Sequence, residues 1–234
     1  MIDSPTHRRA RTRQVIRYLS GVVVVSVGAT FGIQSGAGAA PYDALLVTLS
    51  DRFGTPFWAT AWLVQVVWVA AILRAGGRIR LGALFHSLLF GPIITVALAV
   101  IPQANGWMMS TLYLAVSVSG IAVGLWLYLG AAFVSGMVDN LFDTLSRRGD
   151  FRTAGIRTVF DIACCAYAWI GGGPVGVGTV IIAFGVGPLL GALSTGMLHP
   201  ASWRGIRLPT RRIPDSPLEL VDTAEYVLRP DGPH

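Results

Sequence analysis

The stretch Asp43-Ala44-Leu45-Leu46-Val47-Thr48-Leu49-Ser50-Asp51-Arg52 returns 96 residues later as Asp139-Asn140-Leu141-Phe142-Asp143-Thr144-Leu145-Ser146-Arg147-Arg148, with six of ten positions identical. Held without a gap, the same shift lays Gly28 on Gly124, Gly76-Gly77 on Gly172-Gly173, Gly82 on Gly178 and Gly91-Pro92 on Gly187-Pro188. Residues 18–101 and 114–197 share 15 identities in 84 pairs. These gather at Asp, Gly and Pro, the residues that set backbone breaks and turns, so shared hydrophobicity alone does not account for them. The chain reads as a tandem duplication of one apolar unit.

Composition sets the class. Hydrophobic residues make up 53% of the chain, charged residues 13%, and the mean hydropathy is +0.61. A soluble domain carries about 25% charged residues. Between Tyr18 and His199 the acids are Asp43, Asp51, Asp139, Asp143, Asp150 and Asp161 alone. This is the composition of an integral membrane protein, with the lipid bilayer as its first partner.

The net charge of +6 does not describe a nucleic-acid surface. All 18 basic residues are Arg, and they sit in tails and connections as topology signals do. The two cysteines, Cys164 and Cys165, are adjacent in an apolar run. Neighbours on a helix point about 100° apart, so they read as small thiols and not as a disulfide. Residues 22–33 followed by Gln34-Ser35-Gly36-Ala37-Gly38-Ala39-Ala40 imitate a secretory signal. A repeat partner at 114–136, deep in the chain, makes this segment a structural helix instead.

A membrane-crossing helix needs about 20 apolar residues. Six spans follow: 16–34, 56–73, 81–101, 110–133, 153–170 and 175–197. Arginine then orients them. Arg8, Arg9, Arg11, Arg13 and Arg17 precede the first span; Arg74, Arg78 and Arg80 follow the second; Arg147, Arg148 and Arg152 follow the fourth; Arg204, Arg207, Arg211 and Arg212 follow the sixth. The intervening connections hold Arg52 alone. Both termini are therefore expected in the cytoplasm of a bacterial inner membrane. Three spans per repeat is an odd number, so the two halves are expected upside down relative to each other.

The expected architecture is all-α, with six transmembrane helices as two inverted three-helix repeats and short broken helices between them. Its parts are a basic cytoplasmic tail (1–17), a first membrane repeat (18–101), an outer connection (102–113), a second repeat (114–199) and a proline-rich mobile cytoplasmic tail (200–234). A helical piece at 218–228 of that tail offers a docking segment for a protein partner.

Candidate polar sites follow the repeat. Gly36, Gly38 and Pro41 interrupt a continuous helix, so a short helix is expected to start with Asp43 in its first turn. Its repeat partner, Asp139, follows a stretch without proline. An Asp so placed either caps its helix or binds substrate or ions at a broken helix. Asp161 lies halfway along the fifth span, and Gln65 is its repeat partner in the second. Arg157, four residues before Asp161, shares its helix face, so the pair either holds helices together or lines a coupling site. Asp161 with Gln65 opposite is expected to line a central polar cavity. His86, whose repeat partner is Ile182, is expected to be a hydrogen-bonded packing histidine. Gly21, Gly28, Gly32, Gly82, Gly178, Gly185 and Gly187 suit close helix contact. The glycine-rich run at 171–178 lacks the Gly-Lys-Ser/Thr ending of a phosphate loop. No Cys/His metal cluster and no nucleophile–base set is legible, so no enzyme activity, cofactor or metal is expected.

The run Gly36-Ala37-Gly38-Ala39-Ala40-Pro41-Tyr42-Asp43-Ala44-Leu45 resembles the bacterial YczE/YitT-type membrane proteins. So do Gly82-Ala83-Leu84 leading to Gly91-Pro92, and Gly172-Gly173-Pro174-Val175-Gly176-Val177-Gly178-Thr179 leading to Gly187-Pro188. The chain departs from that pattern at Tyr42 (usually Trp), His86 (Asn), Gly136-Met137-Val138-Asp139 (Gly-Pro-x-Asp) and Asp161 (Glu). The resemblance covers about residues 17–198. It implies a multi-span inner-membrane protein with a role in export or in support of secondary-metabolite production, and it brings no catalytic residues. The leading expectation is transport of a small molecule or ion. The alternatives are a non-transporting accessory of another enzyme or exporter, or a substrate-binding subunit of a larger transporter.

Overall fold

The computed structural model describes residues 5–79, 81–129, 136–148 and 153–194. The expected tail at 200–234 lies outside the described residues, as does most of the stretch before Asp139. Every regular element among the described residues is an α-helix: α1 (Pro5–Gln34), α2 (Pro41–Phe53), α3 (Phe57–Arg74), α4 (Leu81–Val100), α5 (Gly106–Leu129), α6 (Met137–Arg148), α7 (Thr153–Ile170) and α8 (Val177–Ser194).

The repeat read from the Asp43 block reappears in the helix boundaries. α2, α3 and α4 begin at 41, 57 and 81; α6, α7 and α8 begin at 137, 153 and 177, each 96 later. The first break forms as its residues dictate. Gly36 (φ 69°) and Gly38 (φ 126°) take backbone angles that side chains resist, and Pro41 opens α2 without needing a partner for its missing N–H. Gly54 (φ 61°) ends α2, its amide reaching back to the last-turn carbonyls.

Among the described residues five helices are long and apolar enough to cross a membrane: α1 over Thr12–Gln34, and α3, α4, α5 and α8. α7 forms with the bounds expected of a span, but Arg157 and Asp161 hold its hydropathy below that of the other five. Five of the six expected spans are among these helices, and α7 covers the bounds expected of the other. α1 also starts earlier than expected, carrying helix into the arginine-rich segment, because arginine favours helix.

α1 and α5, the first helices of the two halves, pack antiparallel along their small residues. A Cβ added at Gly21 would lie 2.7 Å from the amide nitrogen of Tyr128, one at Gly28 2.8 Å from that of Ile121, and one at Gly32 2.8 Å from Ser117 Oγ. The contacts are reciprocal under the shift. Gly28 meets Ile121, and its repeat partner Gly124 meets Val25, 2.6 Å from the amide nitrogen. Gly77 faces the Thr144 side chain, and its repeat partner Gly173 faces Thr48. The hydroxyls of Thr48 and Thr144 donate to equivalent carbonyls, Ala44 (2.6 Å) and Asn140 (2.8 Å). Residue i meets j plus the shift, and i plus the shift meets j, so the pattern of contacts is unchanged when the two units are exchanged. Each short helix crosses to the other half: α2 packs on α7, and α6 on α3.

The connections gather at two ends. At one, Gln34 Nε2 donates to the Ile101 carbonyl (2.6 Å), Ala39 N–H to Pro174 (2.9 Å) and Gly178 N–H to Ala37 (2.8 Å). At the other, Asn140 Nδ2 donates to the Arg78 carbonyl (3.2 Å), joining α6 to the arginine-bearing α3–α4 connection. Val22, Leu46, Phe57, Ala61, Ile94 and Tyr128 form the main apolar core between the ends.

Candidate functional site

α6 starts at Met137, which places Asp139 in its first turn, where free backbone amides favour a carboxylate. The Asp139 carboxylate accepts a hydrogen bond from the Gly136 amide. Across the α6–α7 contact stands Arg157, with Nη1 3.8 Å from Asp139 Oδ1 and Nε 3.9 Å from Asp161 Oδ2. The guanidinium therefore lies between two carboxylates, with a side chain 63% exposed against 37% for Asp139 and 34% for Asp161. Burial raises the Asp139 carboxyl above its ordinary range, opposed by Arg157 and by the Gly136 amide.

The equivalent place in the first half is uncharged apart from one acid. Asp43, repeat partner of Asp139, is 5% exposed in the first turn of α2. Its neighbours by the repeat are Ala61 and Gln65 where the second half has Arg157 and Asp161. Asp43 forms no ion pair among the described residues. α2, with 13 residues, is too short to cross a bilayer. Burial alone pushes the Asp43 carboxyl up to about 7. Folding thus favours its protonated form, and wild-type stability falls as pH rises from about 4 towards 7. Asp43→Asn removes that dependence. Thermal unfolding in detergent should show the variant close to wild type at pH 4 and more stable by up to about 4 kcal/mol at pH 8.

Arg157→Met acts in the opposite sense. With the guanidinium gone, Asp139 is raised further, so its ionisation opposes folding more strongly. Stability should match wild type below the carboxylate range and fall short by about 1 kcal/mol at pH 8, a figure discounted for exposure. The same unfolding series checks it.

Between the two acidic places the middle is aromatic. Phe160 of α7 packs against Trp68 of α3 (centroids 5.4 Å apart), Phe142 of α6 (5.2 Å) and Tyr42 of α2 (6.2 Å), and Trp68 Nε1 donates to the Tyr42 hydroxyl (3.3 Å). One ring from each of α2, α3, α6 and α7 thus joins a single aromatic group. Asp161 turns to Arg157, while the Gln65 side-chain oxygen is buried without a hydrogen-bond partner. Of the five sequence candidates, Asp139, Arg157 and Asp161 come together; Asp43 and Gln65 do not join them.

His86 packs as expected, stacked on Phe90 (5.6 Å) and tilted against Tyr128 (5.3 Å), but its buried Nδ1 has no hydrogen-bond partner. A Cβ at Gly136 would touch both His86 (Cδ2, 3.4 Å) and Asp139 (Oδ2, 3.8 Å), so this ring borders the Asp139 site. The sequence reading missed both His86 and Tyr128 as neighbours of that acid. Cys164 and Cys165 are free thiols. A shallow apolar groove on α1 and α5, lined by Val24, Ala115, Val116, Ser119, Gly120 and Val123, includes none of these polar residues.

A model of DUF6198, a family of unknown function, matches residues 12–195, from the apolar part of α1 to the end of α8. The chain belongs to that family. Among the relatives of this DUF6198 chain is the uncharacterized membrane protein YczE of Bacillus subtilis (strain 168), 25% identical over 176 residues, or 74% of this chain and 81% of that protein. The uncharacterized protein YyaS of the same strain is 29% identical over 169 residues, 70% and 84% of the two chains. An uncharacterized protein of Haemophilus influenzae is 21% identical over 185 residues, 77% and 83%. No solved structure matches the chain. With the YczE match and the five apolar helices, this DUF6198 chain is a multi-pass membrane protein of the YczE type.

Proposed function

We propose that this protein moves a small solute or ion across a bacterial inner membrane, using the space between two inverted repeats. One observation carries the reading: repeat-equivalent acids, Asp43 and Asp139, stand at the starts of the two short helices, each of which packs into the opposite half. Ionisable groups within an apolar chain are costly and persist at substrate and ion paths, and broken helices at a repeat axis are where transporters place them. The antiparallel α1–α5 pair supports a two-fold axis in the membrane plane, with α7 as the sixth crossing. The arginine-bearing end, with both termini, then faces the cytoplasm. In this reading Asp139, Arg157 and Asp161 form the solute or proton site open towards that end, and Asp43 with Gln65 is the counterpart on the other side of the aromatic group.

The test is a flux assay. Purified protein in vesicles loaded with a pH-sensitive dye would be challenged with a panel of small organic cations and anions. Protein-free vesicles and the Asp161→Asn variant serve as comparisons. Solute-driven proton movement lost in Asp161→Asn supports the proposal; traces matching protein-free vesicles for every solute reject it. The packed aromatic centre favours a second reading, a non-transporting accessory of another enzyme or exporter, and that negative result would select it.

A further inference from the structure

The two halves are built alike but not held alike. In the first half α3 and α4 form a closed seam. A Cβ at Gly91 would lie 3.1 Å from Trp58 Cα and 3.2 Å from Ala61 Cβ. The Trp58 amide donates to Thr95 Oγ1 (3.1 Å), and Trp62 Nε1 reaches the Leu88 carbonyl at 3.4 Å. Ala61 is 2% exposed and Ile94 fully buried.

The equivalent seam in the second half is open. Among the described residues α7 and α8 are not packed along their lengths. Gly187, repeat partner of Gly91, has nothing within 4 Å of an added Cβ, and neither has Gly191, repeat partner of Thr95. Arg157 stands exposed where the first half buries Ala61, and Phe184, repeat partner of Leu88, is 78% exposed. Gly187 was expected in close helix contact; the open seam corrects that.

The seams also point to opposite ends. α3 and α4 are joined at the arginine-bearing end, so their seam closes the far end, where Trp58 begins its helix. α7 and α8 are joined by the glycine-rich turn at the far end, so their seam opens towards the arginine-bearing end. One unit, duplicated, occupies two arrangements at once. A two-fold operation that exchanges the halves converts this molecule into one with the same kinds of contact and the opening on the other side.

We propose that the α3–α4 and α7–α8 seams exchange closed and open states. This deepens the transport reading and rests on it. In the second state α7 closes on α8, bringing Thr158 to Phe184 as Trp62 now meets Leu88, and α3 parts from α4. Gly187 supplies the room that Gly91 supplies in the first half. The first-half seam accommodates only the methyl of Ala61 at the equivalent position. Arg157 therefore enters a closed α7–α8 seam with its guanidinium kept on Asp139 and Asp161, and these ion pairs are the condition for closure.

The experiment uses the full chain in lipid vesicles, with Cys164→Ala and Cys165→Ala removing the native thiols. One pair, Trp62→Cys with Leu88→Cys, reports the first seam; the other, Thr158→Cys with Phe184→Cys, reports the second. The three sites Trp62, Leu88 and Phe184 are exposed large side chains or border lipid, and Thr158 is exposed, so folding tolerates the changes. A short bifunctional thiol reagent and peptide mass analysis read the links. Each pair should link when present alone, and linking the first pair beforehand should cut linking of the second at least tenfold. Two results overturn the exchange: a Thr158–Phe184 pair that reacts with a monofunctional reagent yet never links, or both links forming in the same molecule. Exchange without flux of any solute would sink transport and leave the exchange standing. Flux with no Thr158–Phe184 link would sink the exchange and leave transport.

Discussion

Gly38→Val should abolish folded protein. Gly38 holds φ 126°, a region that a β-branched side chain enters only with strain. An added Cβ would also lie 2.7 Å from the amide nitrogen of Gly176 and 2.7 Å from Thr179 Oγ1. Neither can retreat. The Gly176 amide is held by Thr179 Oγ1 (3.2 Å), and on either side of Gly38 the chain is pinned by Ala39 N–H to Pro174 and by Gly178 N–H to Ala37. Strain and overlap each contribute about 1–3 kcal/mol, a large part of a total stability of about 5–15 kcal/mol. Yield of monodisperse protein after detergent extraction is the measurement. Gly36→Ala is the comparison: its φ is 69°, but nothing lies within 4 Å of an added Cβ, so it should lose only about 1 kcal/mol and still be recovered.

Gly28→Leu is expected to be the second most damaging change. Gly28 lies in the close α1–α5 contact, and the atoms a Cβ would meet are backbone: Ile121 N at 2.8 Å and the Gly120 carbonyl carbon at 3.0 Å. Backbone cannot rotate aside as a side chain can, so the helices must part. Parting them loosens Val22, Val25 and Tyr128 of the core at once. A loss of about 3 kcal/mol or more follows, read as a lower unfolding temperature. Gly187→Leu changes stability by less than about 0.5 kcal/mol, because its surroundings are open. An equal loss at Gly187 would mean that the surroundings of Gly187 are not open as described.

The parts of the fold that could be read in advance are those written in residues with backbone meaning. Asp43, Gly76-Gly77, Gly91-Pro92 and their repeat partners mark helix starts, turns and close contacts, and from them come the 96-residue register and the short helices α2 and α6. The Arg157–Asp161 pair was legible because both lie on one helix, one turn apart. The link from Arg157 to Asp139 was not, since it joins two helices and follows no periodic spacing. The aromatic centre was hidden for a related reason. The repeat partners of Tyr42, Trp68, Phe142 and Phe160 are Val138, Cys164, Leu46 and Val64, so the duplication does not single these rings out. The Asp161–Gln65 cavity was expected from polarity, whereas the meeting of four large rings follows from side-chain volume. The inequality of the two seams has no local signature, because both carry the same Gly-Pro pattern.

The reciprocal contacts carry one more consequence. In the proposed inverted arrangement the backbone would map onto itself when turned over and give the cell's insertion machinery no preferred way up. That choice must rest on whatever the duplication failed to keep. Arg74, Arg78 and Arg80 correspond under the shift to Ile170, Pro174 and Gly176. Two connections of common descent thus differ by three charges. In the proposed arrangement those arginines, and not the helices, would set the sense of the protein in the membrane.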